Sequence, residues 1–215
     1  MLVIFDCDGV LVDSEPLANA SFSRAVQAQG LDWSVEETMR RLMGRSLKSC
    51  LEIVEAELGR KLPDDFLETM QAVTYRSFRE APLQPVPGVK EAVQEIQQSG
   101  RATCVASSGA VEKMRFTLGL TGLWDLFEGR IFSASMVPRG KPFPDLFLHA
   151  AIQMDVQPFA CTVVEDSVPG VQAGRAAGMR VLAYAGAPYA DAAALARAGG
   201  EVFDDMRRLP ALLAR

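Results

Sequence analysis

The sequence predicts an α/β fold: a parallel sheet flanked by helices, with a helical insertion after the first strand. Short apolar runs alternate with helical patterns over residues 83–215, which is typical of parallel strands joined by crossover helices. Residues 15–82 interrupt this alternation, because they contain helical patterns and no convincing strand. The length of 215 residues fits one large domain that carries an insertion.

Six apolar runs are predicted to be the strands of a Rossmann-like sheet. Their β-branched and cysteine content and their polar ends favour strand over buried helix, although runs this short lack a decisive periodicity. The runs are LVIFD (2–6), ATCVASS (102–108), GRIFSA (129–134), CTVVED (161–166), MRVLAY (179–184) and EVFDD (201–205).

Three helices are predicted between these strands, over 87–100, 141–155 and 167–178. The first places Val89, Val93 and Ile96 on one face and ends at Gly100, a usual helix stop. Helices at this spacing cover both faces of a parallel sheet.

The insertion is predicted to be a four-helix cap domain. Its helical segments are joined by short turns marked by glycine or proline, and prolines in LQPVPGV (83–89) mark the return to the sheet. We therefore predict an α/β catalytic core of residues 1–14 and 83–215, and a helical cap domain of residues 15–82.

Composition and charge exclude several classes of protein. The formal net charge of −5, with scattered Lys and Arg, argues against a nucleic-acid partner. No stretch approaches the roughly 18 uncharged apolar residues of a membrane span, so we expect no membrane partner. The 4 cysteines are far apart and form no Cys-x-x-Cys pair. We expect a reduced, soluble, cytoplasmic protein.

Polar side chains follow several predicted strands. In doubly wound sheets, ligands bind beyond the carboxyl ends of the strands, so these side chains are expected to converge on one site. A lysine from the VPRGKPFPD loop is expected to join them. The set is Asp6, Asp8, Ser107, Ser108, Glu165, Asp166 and Lys141.

This set of side chains indicates phosphoryl transfer. Four close carboxylates are electrostatically costly unless a cation neutralises them, and their oxygen ligands suit Mg²⁺. The hydroxyls, nearby backbone N–H groups and Lys141 suit a phosphate anion. One aspartate of the first pair can attack phosphorus, and the second can move the proton. Gly9 allows the sharp turn that aims both.

Four motifs, in order, resemble those of the haloacid dehalogenase superfamily in its phosphatase form. They are DCDGVLVDSE (6–15), VASSG (105–109), GKPFPD (140–145) and VVEDSVPGVQAGRAAGM (163–179). With the helical insertion they span nearly the whole chain. The position of the insertion and the EDSVPGVQA segment resemble the β-phosphoglucomutase-like phosphatases.

This resemblance implies specific roles at the metal site. Asp6 would be the nucleophile and Asp8 the general acid and base. Mg²⁺ would be held by the Asp6 side chain, the Asp8 backbone carbonyl and Asp166. Glu165 would lie in or beside that ligand shell.

The resemblance also implies how substrate is bound. Ser107 and Lys141 would bind the transferring phosphate, helped by the Ser108 and Gly9 backbones. The substrate would be a small phosphorylated metabolite, such as a sugar phosphate or sugar-acid phosphate, selected by a cap that opens and closes. In the cap, Arg45 is a candidate substrate contact, with a solvated turn as the alternative. Because the cap must move, we expect a monomer.

Three alternatives stay open at this point. A sugar phosphomutase would need a cap histidine and arginine, and those positions fall on Ala18 and Leu47, with Arg45 and Lys48 nearby. A dehalogenase would have no need for Asp8 or for an acidic metal motif. A phosphoaspartate signalling domain would carry its acceptor on a later strand and would lack a helical cap.

Overall fold

The computed structural model describes residues 1–42 and 47–214. These residues divide into two compact units. The larger unit contains residues 1–13 and 84–215, and the smaller contains residues 14–83. The boundaries predicted from the sequence lie one residue from these divisions.

The strands agree closely with the six predicted runs, and two further strands of two residues each were not predicted. The strands are β1 (Leu2–Phe5), β2 (Val12–Asp13), β3 (Gln84–Pro85), β4 (Ala102–Ser107), β5 (Ile131–Ser133), β6 (Cys161–Glu165), β7 (Arg180–Tyr184) and β8 (Glu201–Phe203).

The helices account for most of the remaining chain. They are α1 (Glu15–Ala28), α2 (Val35–Leu42), α3 (Leu47–Leu58), α4 (Phe66–Glu80), α5 (Val89–Gln98), α6 (Val111–Leu120), α7 (Asp145–Gln153), α8 (Val168–Ala176), α9 (Ala192–Arg197) and α10 (Leu209–Leu213). Helix α7 begins later than predicted because Pro142 and Pro144 disfavour helical geometry in the residues before them.

The six long strands form one parallel sheet in the order β5-β4-β1-β6-β7-β8. The chain moves outward from β1 through β4 to β5 and then returns to β6 on the other side of β1. The crevice of a doubly wound sheet lies at such a reversal of direction. The predicted fold class, a parallel Rossmann-like sheet flanked by helices, is confirmed, and β1 lies at its centre.

Alternate side chains of the central strands enter different layers of the core. Leu2 and Ile4 pack with α7 and α8 residues such as Phe147 and Val171. Phe5 points to the other face, where its ring lies 5.9 Å from that of Phe127. Full burial of such a side chain contributes about 1.5–3 kcal/mol to the free energy of folding. The buried side chains of β1 therefore hold this strand rigidly in the core.

The smaller unit has a core of its own. Val26 of α1, Val54 of α3 and Phe66 of α4 are buried together with Trp33, over whose ring the Arg41 guanidinium lies at 4.7 Å. Buried hydroxyls join α1 to α4, where Ser21 donates to Ser77 at 3.0 Å. Among the residues that the structure describes, no helix is both long and apolar enough to cross a bilayer.

Candidate active site

The site begins where β1 ends. Phe5 pairs with Val105 of β4 and with Val164 of β6, so the next residues, Asp6, Ala106 and Glu165, lie at one level of the sheet. The Asp6 N–H donates to the Val164 carbonyl at 3.0 Å, which extends the strand geometry to the carboxylate. Asp6 is only 8% exposed, so the end of β1 places a carboxylate in a buried environment.

Lys141 joins these three neighbouring strands. Its Nζ donates to Asp6 Oδ1 at 2.8 Å, to Glu165 Oε1 at 2.6 Å and to the Ala106 carbonyl at 3.2 Å. The lysine side chain is 5% exposed and that of Glu165 is wholly buried. This ammonium therefore offsets two carboxylates that burial would otherwise make costly.

The charges of this cluster shift one another's pKa values. Burial raises the pKa of Asp6 to about 6; Lys141 opposes that shift, and the Glu165 and Asp8 carboxylates add to it. Burial alone would lower the pKa of Lys141, but Asp6 and Glu165 outweigh it and hold the pKa above its ordinary value. Lys141 is therefore a cation across the physiological range.

Glu165 organises the turn from β6 into α8. Its Oε2 accepts the Asp166 N–H at 2.9 Å, the Ser167 N–H at 2.9 Å and the Ser167 hydroxyl at 2.8 Å. Ser167 also caps α8 by accepting the Gly170 N–H at 3.2 Å. A Cβ on Gly170 would lie 1.8 Å from Glu165 Oε1, so only glycine leaves room for this carboxylate.

Gly9 brings the first motif and the fourth motif together. It has a φ of +75°, which favours glycine, and its N–H donates to the Val12 carbonyl at 2.8 Å in a tight turn. A Cβ at this position would lie 1.9 Å from Asp166 Oδ2. The close approach of the Asp166 carboxylate thus depends on the absence of a side chain here.

Asp8 lies at the more open part of the site. Its carboxylate accepts a hydrogen bond from Lys113 of α6, with 2.7 Å between Lys113 Nζ and Asp8 Oδ2. Burial would lower the pKa of Lys113, but Asp8 outweighs it and raises that pKa. Asp8 Oδ2 and Ser107 Oγ lie 3.8 Å and 3.7 Å from one point, the position of a Cβ built on Gly109. The acid and this hydroxyl therefore both border Gly109.

Cys7, between the two aspartates, is a packing residue. Its side chain is buried, and its Sγ lies 3.9 Å from Thr117 Oγ1 of α6. Burial, reinforced by Asp8 and Asp6, raises the pKa of the thiol well above its ordinary value. A thiolate nucleophile is thus strongly disfavoured at this position.

Three carboxylates form a candidate metal centre. Asp6, Glu165 and Asp166 each offer one oxygen within 4.8 Å of the others. An all-oxygen set fits a hard divalent cation. Glu165 fits less well as a direct ligand, because Oε2 already accepts three hydrogen bonds and Oε1 contacts Lys141. Asp6 and Asp166 are the carboxylates best suited to such an ion.

The predicted site residues lie in one region of the larger unit. Asp6, Lys141 and Glu165 are in direct contact, Gly9 adjoins Asp166, and Asp8 lies near Ser107. Ser108 follows β4 and is exposed. Arg45 lies outside the described residues, so its role stays a prediction.

Sequence reasoning missed Lys113 and Gly170. Ser167 carries a readable signal, since a serine directly before a helix with proline in its first turn is a capping pattern, whereas nothing in the sequence marks Gly170. Lys113 carries none, because it is 105 residues from Asp8 along the chain.

The fold and site together define a hydrolase with a buried carboxylate at the end of a central parallel strand. The family model for haloacid dehalogenase-like hydrolases matches residues 1–178. The chain belongs to this family.

Two relatives with named activities are phosphatases. The 6-phosphogluconate phosphatase of Escherichia coli (strain K12) is 32% identical over 187 residues, covering 87% of this chain and 83% of the relative. Hexitol phosphatase B of the same organism is 31% identical over 182 residues, covering 84% and 81%. These relatives confirm the prediction of a phosphatase within the haloacid dehalogenase-like family.

Solved structures agree with this assignment. A haloacid dehalogenase-like protein of unknown function from Agrobacterium tumefaciens is 37% identical, has a TM-score of 0.86, and covers 99% of this chain and 97% of its own. A putative β-phosphoglucomutase from Thermotoga maritima is 28% identical, has a TM-score of 0.83, and covers 99% and 98%. The predicted resemblance to the β-phosphoglucomutase-like subgroup is confirmed.

Proposed function

We propose that this protein is a Mg²⁺-dependent phosphatase that hydrolyses a small sugar phosphate or sugar-acid phosphate through an aspartyl-phosphate. The observation that carries the proposal is the buried Asp6 carboxylate, held by Lys141 beside Glu165 and followed two residues later by a second acid, Asp8. The names of the two Escherichia coli relatives support a phosphorylated sugar or sugar acid as substrate.

Asp6 and Asp166 would hold the Mg²⁺ with their side chains, and Asp8 would hold it through its backbone carbonyl. Glu165 would position Asp166 and Lys141 from beside the ligand shell, because its hydrogen bonds to both residues already occupy it. When bound, Mg²⁺ neutralises charge on the phosphate and on the attacking carboxylate.

Asp6 performs the first step. Its carboxylate oxygen forms a bond to phosphorus while the ester P–O bond breaks, and the leaving oxygen takes a proton from Asp8. Lys141 holds Asp6 Oδ1 at the end of β1, which limits the rotation of the nucleophile. The products of this step are the free alcohol and a phosphorylated Asp6.

Asp8 performs the second step as a base. It takes a proton from a water molecule, whose oxygen attacks phosphorus while the Asp6–phosphorus bond breaks. Inorganic phosphate leaves and both carboxylates return to their initial states. The backbone N–H groups of Ser108 and Gly9, the Ser107 hydroxyl and Lys141 would bind the phosphate oxygens.

The smaller unit would act as the cap that selects the substrate, with Arg45 as a candidate contact. Residues 15–82 would exclude water from the phosphoryl group during transfer and would admit substrate by opening. A monomer located in the cytoplasm, where phosphorylated sugars are abundant, fits this role.

The test is a phosphate-release assay on purified protein with 6-phosphogluconate, hexitol 6-phosphates and other sugar phosphates, with and without Mg²⁺. We expect Mg²⁺-dependent release that EDTA abolishes and that Asp6→Asn lowers by at least about a thousandfold. Glu201→Gln, which removes an exposed carboxylate paired with Arg180 at the amino end of β8, is the control and should keep wild-type activity. Equal activity of D6N and wild type would contradict the proposal.

The likeness to a putative β-phosphoglucomutase makes a sugar phosphomutase the second candidate. β-Glucose 1-phosphate with a bisphosphate activator distinguishes the two activities. Appearance of glucose 6-phosphate without release of phosphate would establish the mutase and overturn the phosphatase.

A further inference from the structure

Helix α6 contacts the catalytic segment at two consecutive residues. Lys113 Nζ donates to Asp8 Oδ2 at 2.7 Å, and Thr117 Oγ1 lies 3.9 Å from Cys7 Sγ. Lys113 and Thr117 are four residues apart and therefore share one face of the helix. The Thr117 hydroxyl also donates to the Lys113 carbonyl at 3.1 Å, within the same turn.

The turn that follows β1 fixes the backbone at Asp8. The Cys7 carbonyl accepts the N–H groups of Leu11 and Val12, and the Gly9 N–H donates to the Val12 carbonyl. These backbone bonds do not set the side-chain torsions of Asp8. The contact from Lys113 acts on the carboxylate itself, and both side chains are partly buried, with 30% of Lys113 and 25% of Asp8 exposed.

We propose that Lys113 is a positioning residue that holds the Asp8 carboxylate in the rotamer used for proton transfer. The inference rests on the proposed function, because only there does Asp8 move a proton. The two lysines of the site have different partners, since the buried Lys141 contacts the nucleophile and Glu165, whereas the partly exposed Lys113 contacts Asp8.

If the Asp8 carboxylate is no longer held in place, phosphorylation of Asp6 and hydrolysis of the phosphorylated Asp6 are affected differently. p-Nitrophenolate leaves without needing a proton, so formation of phosphorylated Asp6 from p-nitrophenyl phosphate does not need Asp8. Hydrolysis of the phosphorylated Asp6 does need Asp8, because the attacking water must lose a proton. With a sugar phosphate, whose alkoxide is a poor leaving group, both steps need Asp8.

The experiment compares wild type, Lys113→Met and Thr117→Val in Mg²⁺ with p-nitrophenyl phosphate and 6-phosphogluconate. For K113M we expect kcat to fall about tenfold or more with both substrates. We expect kcat/KM to fall with 6-phosphogluconate and to stay within about twofold of wild type with p-nitrophenyl phosphate. Rapid mixing should then show a burst of p-nitrophenol close to one equivalent of enzyme.

T117V and Lys113→Arg are the matched controls. T117V changes the neighbouring contact of the same helix face without touching Asp8, so it should produce neither the burst nor the substrate difference. K113R keeps a cationic donor and should recover part of the lost kcat. If K113M loses its folded circular dichroism signal, Lys113→Gln, which is too short to reach Asp8, takes its place.

Three results would overturn the inference. A parallel fall of kcat/KM with both substrates, together with a lower Tm, would show a structural role. A rise of KM with kcat unchanged would show a substrate contact. Wild-type kinetics in K113M would show that Lys113 has no role in positioning Asp8. Failure of wild type to hydrolyse these two esters and every sugar phosphate of the phosphate-release panel would instead overturn the proposed function, and it is detected before any variant is compared.

Discussion

At the scale of single residues, the site depends on carboxylates that pack directly against glycines, as Asp166 does against Gly9 and Glu165 against Gly170. Asp6 and Asp8 were predictable because two acids at the end of an apolar run conflict with burial and so indicate chemistry. Lys141 was predictable only from the order of motifs. The contact of Lys113 with Asp8 was not predictable, because one lysine in a helix carries no information about a partner 105 residues away.

Gly9→Ala should strongly reduce activity and Mg²⁺ affinity. The new Cβ would meet Asp166 Oδ2 at 1.9 Å and displace that carboxylate. Gly100→Ala is the matched control, since Gly100 has a similar φ of +79° with nothing within 4 Å of the added Cβ. Both variants should lose about 1–2 kcal/mol from backbone strain, but only G9A should raise the Mg²⁺ concentration needed for activity. Equal Mg²⁺ dependence in the two would contradict the argument.

Lys141→Met should destabilise the metal-free protein by about 3–5 kcal/mol, because it leaves Asp6 and Glu165 buried without their counter-charge. Lys61→Met removes a cation from an exposed pair with Glu55, in which the lysine is 88% exposed, and should change the free energy of unfolding little. Urea unfolding in EDTA measures both. A cost for K141M as small as that for K61M would show that this cluster is well solvated.

The stability of the metal-free protein should fall as pH rises from about 4 to 7, relative to Asp6→Asn. The pKa of Asp6 is about 6 in the folded protein against an ordinary 3.8, so the folded state retains a proton that the unfolded state has released. The difference is on the order of 3 kcal/mol and is complete above the folded pKa. Chemical unfolding of both proteins in EDTA at intervals of pH tests this, and parallel profiles would contradict it.

At the scale of elements, the strands were predictable because their apolar runs are wholly buried and end in polar residues. The pair β2 and β3 was missed because two residues carry no periodicity and one of them is Pro85. The predicted helix over 141–155 was too long, because the apolar pattern was followed back through Pro142 and Pro144, which disfavour helix in the residues before them. The start of α8 combines a cap and a glycine, and its geometry depends on both.

Gly170→Ala should lower stability and activity although alanine favours helices. Its Cβ would lie 1.8 Å from Glu165 Oε1, so Glu165 must move away from Lys141 or α8 must shift. Gly119→Ala in α6 is the matched control, because nothing lies within 4 Å of its added Cβ. G119A should gain about 0.5–1 kcal/mol. Thermal unfolding and phosphate release measure both, and a stabilised, active G170A would refute this account of α8.

At the scale of the whole molecule, the candidate metal ligands come from distant parts of the chain. Asp6 and Asp166 are brought together only by the pairing of β1 with β6. The unfolded chain therefore offers no comparable site, and Mg²⁺ should stabilise the folded state selectively. The fold class was predictable from the alternation of elements, whereas side-chain contacts between distant elements were not.

Mg²⁺ at about a hundred times its Kd should add about 2.7 kcal/mol to the free energy of unfolding. Asp166→Asn should remove most of this gain, and Glu201→Gln, at the exposed amino end of β8, should retain it. Thermal unfolding over a Mg²⁺ titration gives the result. An equal gain in D166N and wild type would place the ion elsewhere.

The central place of β1 also determines when the site can form during synthesis. Strand β1 is made before both of its partners, so it lacks β4 until residue 107 and β6 until residue 165 has been made. The helices of residues 14–83 contact one another locally and can fold long before that. This apolar strand therefore has no partner in the sheet while the first half of the chain is made, and one of its edges stays unpaired until β6 is complete. Asp6 and Asp8 supply charge that opposes its aggregation in that interval.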